Sequence, residues 1–224
     1  MCLKRMQPLN LLIMGGQGSG KGSQSEFLVE RYNIPHISVG DLLRDNIVRG
    51  TKDGLEAQGY MNRGVLVPDE IVIRLLKERL KQKDAKKGFL LDGYPRNKEQ
   101  SDALDKITKI TAGINLQADD EVLIERLLDR LTCEKCKKIY RKSKLDNTKT
   151  CAACGGKLVT RADDTREPIL QRLSIYRSQS EPLLEKYSKF TNKKGQSIVL
   201  NIDATKTIPE VDEEIKLKLT EFLK

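Results

Sequence analysis

The chain has no tryptophan, a single histidine and only 4% aromatic residues. Scarce aromatics weigh against a nucleic-acid surface built on base stacking. No apolar run approaches the roughly 20 residues that a helix needs to cross a bilayer. Residues 1–7 are short and basic and hold no apolar stretch able to act as a signal peptide. The expectation is a cytoplasmic protein with no membrane partner. Acidic residues are outnumbered, 32 Asp and Glu against 41 Lys and Arg, which leaves a net charge of +9. That balance suits nucleic acid, an acidic membrane surface or small anionic substrates, although the lysines of 77–87 read as a solvated helix face. Hydrophobic residues are not lacking. At 38% of 224 residues they suffice for one sizeable core, or a core with a small insert.

Residues 15–23 read Gly-Gly-Gln-Gly-Ser-Gly-Lys-Gly-Ser and follow directly on the apolar run 9–14. Gly15, four residues, then Gly20-Lys21 is the spacing of a phosphate-binding loop between a strand and a helix. Glycines let the backbone curl so that several N–H groups point at one anion. The helix that follows brings its positive dipole end to the same place. Lys21 adds a mobile point charge for the outer phosphates. Phe27, Leu28 and Tyr32 give the next stretch an amphipathic, helical pattern.

Five short apolar runs read as strands: 9–14, 34–38, 88–92, 113–117 and 197–202. Helical spacing marks 69–80, opened by Pro68-Asp69, then 119–131 through Leu123, Leu127, Leu128 and Leu131, and a long stretch over 166–189. The last helix opens with a capping box, Thr207 and Glu210, and runs to Leu223. Alternating strands and helices predict an α/β fold: a P-loop NTPase-like, five-stranded parallel sheet with helices on both faces. Such sheets bind ligands at the carboxyl ends of their strands. The glycine loop, 38–41 and 92–96 all follow strands and are expected to meet in one crevice.

One segment breaks the alternation. Residues 132–164 are turn-rich and carry Cys133, Cys136, Cys151 and Cys154, two Cys-x-x-Cys pairs. Without a secretion signal, such pairs point to metal rather than disulfides. Four thiolates close a tetrahedral site with no open position, which implies a structural metal, zinc above all. Zinc binding of this kind supplies on the order of 10 kcal/mol to a segment too small for a core of its own. Cys2 stands alone and reads as a free thiol without a role. A nucleic-acid-binding zinc ribbon is the rival reading of the insert, motivated by the charge and the cysteines.

Three further segments, Ile37-Ser38-Val39-Gly40-Asp41-Leu42-Leu43-Arg44, Gly88-Phe89-Leu90-Leu91-Asp92-Gly93-Tyr94-Pro95-Arg96 and Arg161-Ala162-Asp163-Asp164, stand in order with the glycine loop. Together they closely resemble adenylate kinases of the long-lid type with a zinc-bearing lid, over nearly the whole chain. The resemblance implies reversible transfer of the terminal phosphoryl group of ATP to AMP, giving two ADP, with Mg²⁺. It implies a core of residues 1–131 and 165–224, an AMP-binding insert at about 38–67 and a lid at 132–164. Gly18, Ser19, Gly20, Lys21, Gly22 and Ser23 would cradle the ATP phosphates, with Arg126, Arg130, Ile139, Tyr140 and Lys206 as further ATP contacts. Val39, Arg44, Val65, Leu66, Val67, Gly93, Tyr94, Pro95, Arg96 and Gln100 would surround AMP. Arg161 and Arg172 would grip phosphates across the cleft, and Lys21, Arg96, Arg130, Arg161 and Arg172 form the catalytic set. Asp92 would orient a Mg²⁺-bound water. The partners are ATP, AMP and ADP rather than nucleic acid, and the family suggests a monomer.

Chemistry supports the assignment. Phosphoryl transfer needs positioning and charge neutralisation more than covalent work, and guanidinium forks suit phosphate oxygens. A carboxamide at Gln100 can donate to and accept from an adenine edge. Related UMP/CMP kinases tend to carry Asn there and a short lid without cysteines; they, and a GTP-dependent AMP kinase, are the alternatives within the family. The chain departs from the family pattern at several positions. Gln17 replaces a loop proline, so the empty loop loses a fixed φ, and Ser23 replaces Thr. Val39 replaces a Thr beside the AMP base, and Ala204 a Gly. Residues 142–149 are shorter than the usual lid hairpin. His36, the lone histidine, reads as a structural residue near the AMP site.

Overall fold

A computed structural model of the protein describes residues 8–146 and 148–224; Cys2 lies outside them. The apolar run before the glycine loop is strand β1 (Leu9–Met14), and helix α1 (Lys21–Tyr32) follows. Strand β2 (His36–Ser38) leads into α2 (Val39–Val48), α3 (Lys52–Asn62) and α4 (Asp69–Leu80). Strand β3 (Gly88–Asp92), helix α5 (Lys98–Ile107), strand β4 (Ala112–Gln117) and helix α6 (Asp120–Leu128) come next. Three short strands, β5 (Arg130–Cys133), β6 (Ile139–Arg141) and β7 (Leu158–Val159), precede α7 (Arg166–Ile175). One π-helical turn joins α7 to α8 (Pro182–Ser188), and β8 (Val199–Asp203) and α9 (Ile208–Leu223) complete the chain.

Five strands form one parallel sheet in the order β2-β3-β1-β4-β8. Leu11, Leu12, Leu90, Leu91 and Ile114 are fully buried, adjacent residues on opposite faces included, so helices cover both sides of the sheet. The chain steps from β3 across β1 to β4. The carboxyl ends of β1 and β3 therefore flank the crevice where the strand order reverses, the usual ligand position in open α/β sheets. Among the described residues, no helix is long and apolar enough to cross a membrane.

Local chemistry explains helix starts that the hydrophobic pattern leaves open. Ser38 caps α2 by accepting from the Asp41 N–H, Thr51 caps α3 through Gly54, and Asn97 caps α5 through Gln100. The Thr207–Glu210 capping box is present as the sequence predicts. A Cβ on Gly54 would lie 2.1 Å from the Asn46 carbonyl oxygen, so only glycine allows α3 to approach α2 this closely.

The structure corrects several boundaries. Residues 34–35, 197 and 198 fall outside the sheet strands, whereas Ala112 and Asp203 lie within them. Phe27, part of the apolar pattern of α1, remains 37% exposed, whereas Leu28 is fully buried. The helix expected over 119–131 ends at Leu128. Leu131 has helical spacing from Leu127, yet Arg130 and Leu131 already pair with Arg141 and Tyr140 across an antiparallel ladder. The insert is likewise not merely turns: β6-β5-β7 form a second sheet starting at Arg130. Its strands, two to four residues long, are too short to announce themselves by alternation.

Candidate active site

Gly20, in left-handed conformation, caps α1 without any side-chain hydrogen bond to its first turn. The N–H groups there have no partner supplied by a side chain, which is what an anion site requires. The Lys21 ammonium folds back onto the loop and donates to the carbonyls of Gly15 and Gly16, both at 2.8 Å. Burial pushes its pKa down to about 8, against the pull of Asp92 and with the push of Arg96, Arg172 and Arg130. Ser19 Oγ and Gln17 Oε1 are buried without a partner among the described residues.

A cavity of about 1050 Å³ opens from this loop, at the top of the size range of single-ligand pockets. Its wall holds every nucleotide-site residue expected from the sequence. On the loop side these are Gly18, Ser19, Gly20, Lys21, Gly22, Ser23, Arg126, Arg130, Ile139, Tyr140 and Lys206. On the other side they are Val39, Arg44, Val65, Leu66, Val67, Asp92, Gly93, Tyr94, Pro95, Arg96, Gln100, Arg161 and Arg172.

The cations are held by carboxylates, backbone carbonyls and one hydroxyl. Arg130 forks onto Asp164, with Nε 2.7 Å from one carboxylate oxygen. Arg172 donates to the carbonyl and carboxylate of Asp163, both at 2.9 Å. Arg44 donates through Nε and Nη2 to Asp41, Arg96 through Nε to the Gly93 carbonyl, and Arg161 through Nε to Thr132 Oγ1. Burial lowers the guanidinium pKa of Arg96 and of Arg161 to about 10 each, with Arg172 pressing on the first and Arg44 on the second. Burial works against the charge on Asp92, but the His36 side chain and Lys21 keep its pKa below the usual carboxylate range. His36 Nε2 is 3.5 Å from Asp92.

Some expected contacts are arranged differently from the sequence expectation. The Gln100 carboxamide faces its own chain: Oε1 accepts from the Arg96 N–H at 2.8 Å and Nε2 donates to Asp69 at 2.7 Å. One N–H and one lone pair remain for a ligand. Arg126 donates to the Ala204 and Thr205 carbonyls, and Lys206 pairs with Glu214. Sequence reasoning brought Asp41 to the crevice without its pairing to Arg44, and missed Tyr176 and Ser180. The last two sit in the π-helical turn, where Ser180 donates to the Arg96 carbonyl. A helical pattern over 166–189 carries no mark of that turn; Asp41, three residues before Arg44, was the one legible partner.

The second sheet closes over the loop. A Cβ on Gly22 would meet Ile139 Cδ1 at 3.0 Å. The four cysteines gather at the far end of this sheet, with their sulfur atoms all within 4.8 Å of one another and no disulfide among them. Cys133 and Cys154 are 3.5 Å apart, and Cys136 and Cys151 3.6 Å. The Tyr140 hydroxyl reaches Cys151 Sγ at 3.1 Å.

A family model described as adenylate kinase matches residues 13–192. The chain belongs to the adenylate kinase family. An adenylate kinase of Methanosarcina barkeri is 45% identical over 223 residues, covering 96% of this chain and all of the relative. Adenylate kinases of Clostridium tetani and Thermodesulfovibrio yellowstonii are each 43% identical, over 92% of this chain and 96% and 97% of their own.

Proposed function

We propose that the protein is an adenylate kinase that reversibly transfers the terminal phosphoryl group of ATP to AMP, giving two ADP. One observation carries this reading: six cations from separate segments, Lys21, Arg44, Arg96, Arg130, Arg161 and Arg172, line a single cavity. Asp41, Asp163 and Asp164 pair with Arg44, Arg172 and Arg130, and phosphates between the cations would offset the mutual repulsion that remains. In this reading the loop and Lys21 hold the outer phosphates of ATP. Arg44 and Arg96 fix the AMP phosphate, and Arg130, Arg161 and Arg172 neutralise the charge shared in transit. Ile139 seated on the loop excludes water, which would otherwise take the phosphoryl group.

Mg²⁺ accompanies ATP and spreads phosphate charge. The Asp92 carboxylate and Ser23 hydroxyl in the cavity wall are the hard oxygen donors it requires. The sulfur cluster fits a structural zinc. Zn–S bonds of about 2.3 Å in a tetrahedron set sulfurs about 3.8 Å apart, near the 3.5 and 3.6 Å separations here. Cys133, Cys136, Cys151 and Cys154 would hold the ion and give the lid, residues 132–164, its rigidity. The core would be 1–131 and 165–224, with the AMP-binding insert at about 38–67. We extend the reading to free nucleotides as the substrates, since the six cations face a cavity sized for nucleotides, and to a cytoplasmic monomer as the resemblance to the family suggests.

A coupled ADP-formation assay with Mg²⁺, a panel of nucleoside monophosphates, and ATP or GTP as donor tests the activity. The expected result is fastest turnover with ATP and AMP. Preference for UMP or CMP, or for GTP, would overturn the assignment. Salt-dependent binding to DNA or RNA without turnover would favour the zinc-ribbon alternative.

A further inference from the structure

Tyr140 touches two sites at once. It lies in the middle of β6, opposite Leu131 of β5, and lines the nucleotide cavity. Its hydroxyl is 3.1 Å from Cys151 Sγ. Among the described residues, this is the side-chain hydrogen bond that ties β6 to the second cysteine pair. A metal-bound cysteine is a thiolate with no proton, so in the loaded site the phenol is the donor and sulfur the acceptor. The next residue along the strand, Ile139, rests against Gly22 of the phosphate loop. Cys136 also reaches the cavity wall. A three-residue strand therefore separates the sulfur cluster from the loop that would hold the donor phosphates.

We propose that Tyr140 is a positioning residue that couples the metal site to the donor nucleotide: its O–H···S bond to Cys151 sets β6 on the phosphate loop, so that zinc and ATP each favour the arrangement in which the other binds best. The inference rests on the zinc and ATP-site readings above. Hydrogen bonds to metal ligands orient them, and their loss commonly costs 10–100-fold in metal affinity. Coupling between two ligands is reciprocal, so ATP must retain zinc to the same degree that zinc favours ATP.

The test follows zinc release from the purified full chain to a chromogenic chelator, alone, with ATP, and with AMP. In the wild type, ATP slows release several-fold and AMP does not. Tyr140→Phe keeps the ring and removes the hydroxyl. It is expected to release zinc about tenfold faster, to lose protection by ATP, and to raise KM for ATP while leaving KM for AMP in place. A purely structural tyrosine would speed release yet keep the ATP protection and both KM values, and that result overturns the proposal. The wild-type measurement decides without any variant: zinc present, with release indifferent to ATP, refutes the coupling and leaves the zinc reading standing. Wild-type protein free of zinc refutes the metal reading, and the coupling with it.

Discussion

The molecule contains two sheets that solve the same problem by different means. The parallel sheet β2-β3-β1-β4-β8 is buried between helices, and a continuous cluster from Leu11 to Phe222 packs around it. The antiparallel sheet β6-β5-β7 has Leu158, Cys133 and Cys151 at its centre, with Leu131, Tyr140 and Leu145 only partly buried beside them. Hydrophobic burial at about 25 cal/mol per Å² holds the first. The second buries too little for that, and on the zinc reading proposed above its four converging sulfurs form the clasp. The core-packed sheet owes its place to a large cluster of side chains, whereas the small sheet owes its place to the few around its cysteines.

The largest test removes the clasp. Chelation, or Cys133→Ser, is expected to abolish hydrogen-exchange protection in β5, β6 and β7 while β1, β3 and β4 remain protected. Uniform protection in both sheets would erase the contrast. Lys21→Met separates chemistry from both sheets. Turnover should fall by about 10³-fold or more, about 4 kcal/mol of transition-state stabilisation, with an unchanged melting curve. Near-normal activity would remove Lys21 from its role. Leu12→Ala should lower stability by about 2–5 kcal/mol, because Leu12 is fully buried, and leave zinc content unaltered. Loss of zinc in that variant would show that the two sheets do not stand independently.

A smaller effect comes from pH. Lys21 is held to about 8 by burial in the free protein, so its charge is lost as pH rises through that value. The ratio kcat/KM for ATP reports the free enzyme and should decline above about pH 8; a flat profile from pH 7 to 9 would contradict this. The smallest effect is expected from Gln17→Pro, which removes a buried acceptor lacking a partner and stiffens the unfolded chain. It should stabilise by about 0.4–1 kcal/mol, read as a Tm rise of a few degrees.

What was legible in the sequence follows the same division. Leu9–Met14 and Gly88–Asp92 announced themselves as apolar runs because parallel strands are buried on both faces. The glycine loop and the arginines were readable because phosphate chemistry restricts residue type and spacing. Leu131 misled because a leucine four residues after Leu127 satisfies helix and strand alike, and only pairing with Tyr140 decides. The Gln100 amide turned to Asp69, 31 positions away, and no local pattern records so distant a partner. The small sheet could be placed from its cysteines but not drawn, since its strands are too short for a period to emerge.

Gly22 gives the glycine loop a second meaning. Its missing side chain leaves a seat for the tip of Ile139, with a clearance that one methyl would consume at 3.0 Å. Adding that methyl would act as a doorstop, holding the small sheet ajar by a few tenths of an ångström. The fit of the closed enclosure, and how well it keeps a phosphoryl group from bulk water, then depends on a hydrogen atom where other residues carry carbon.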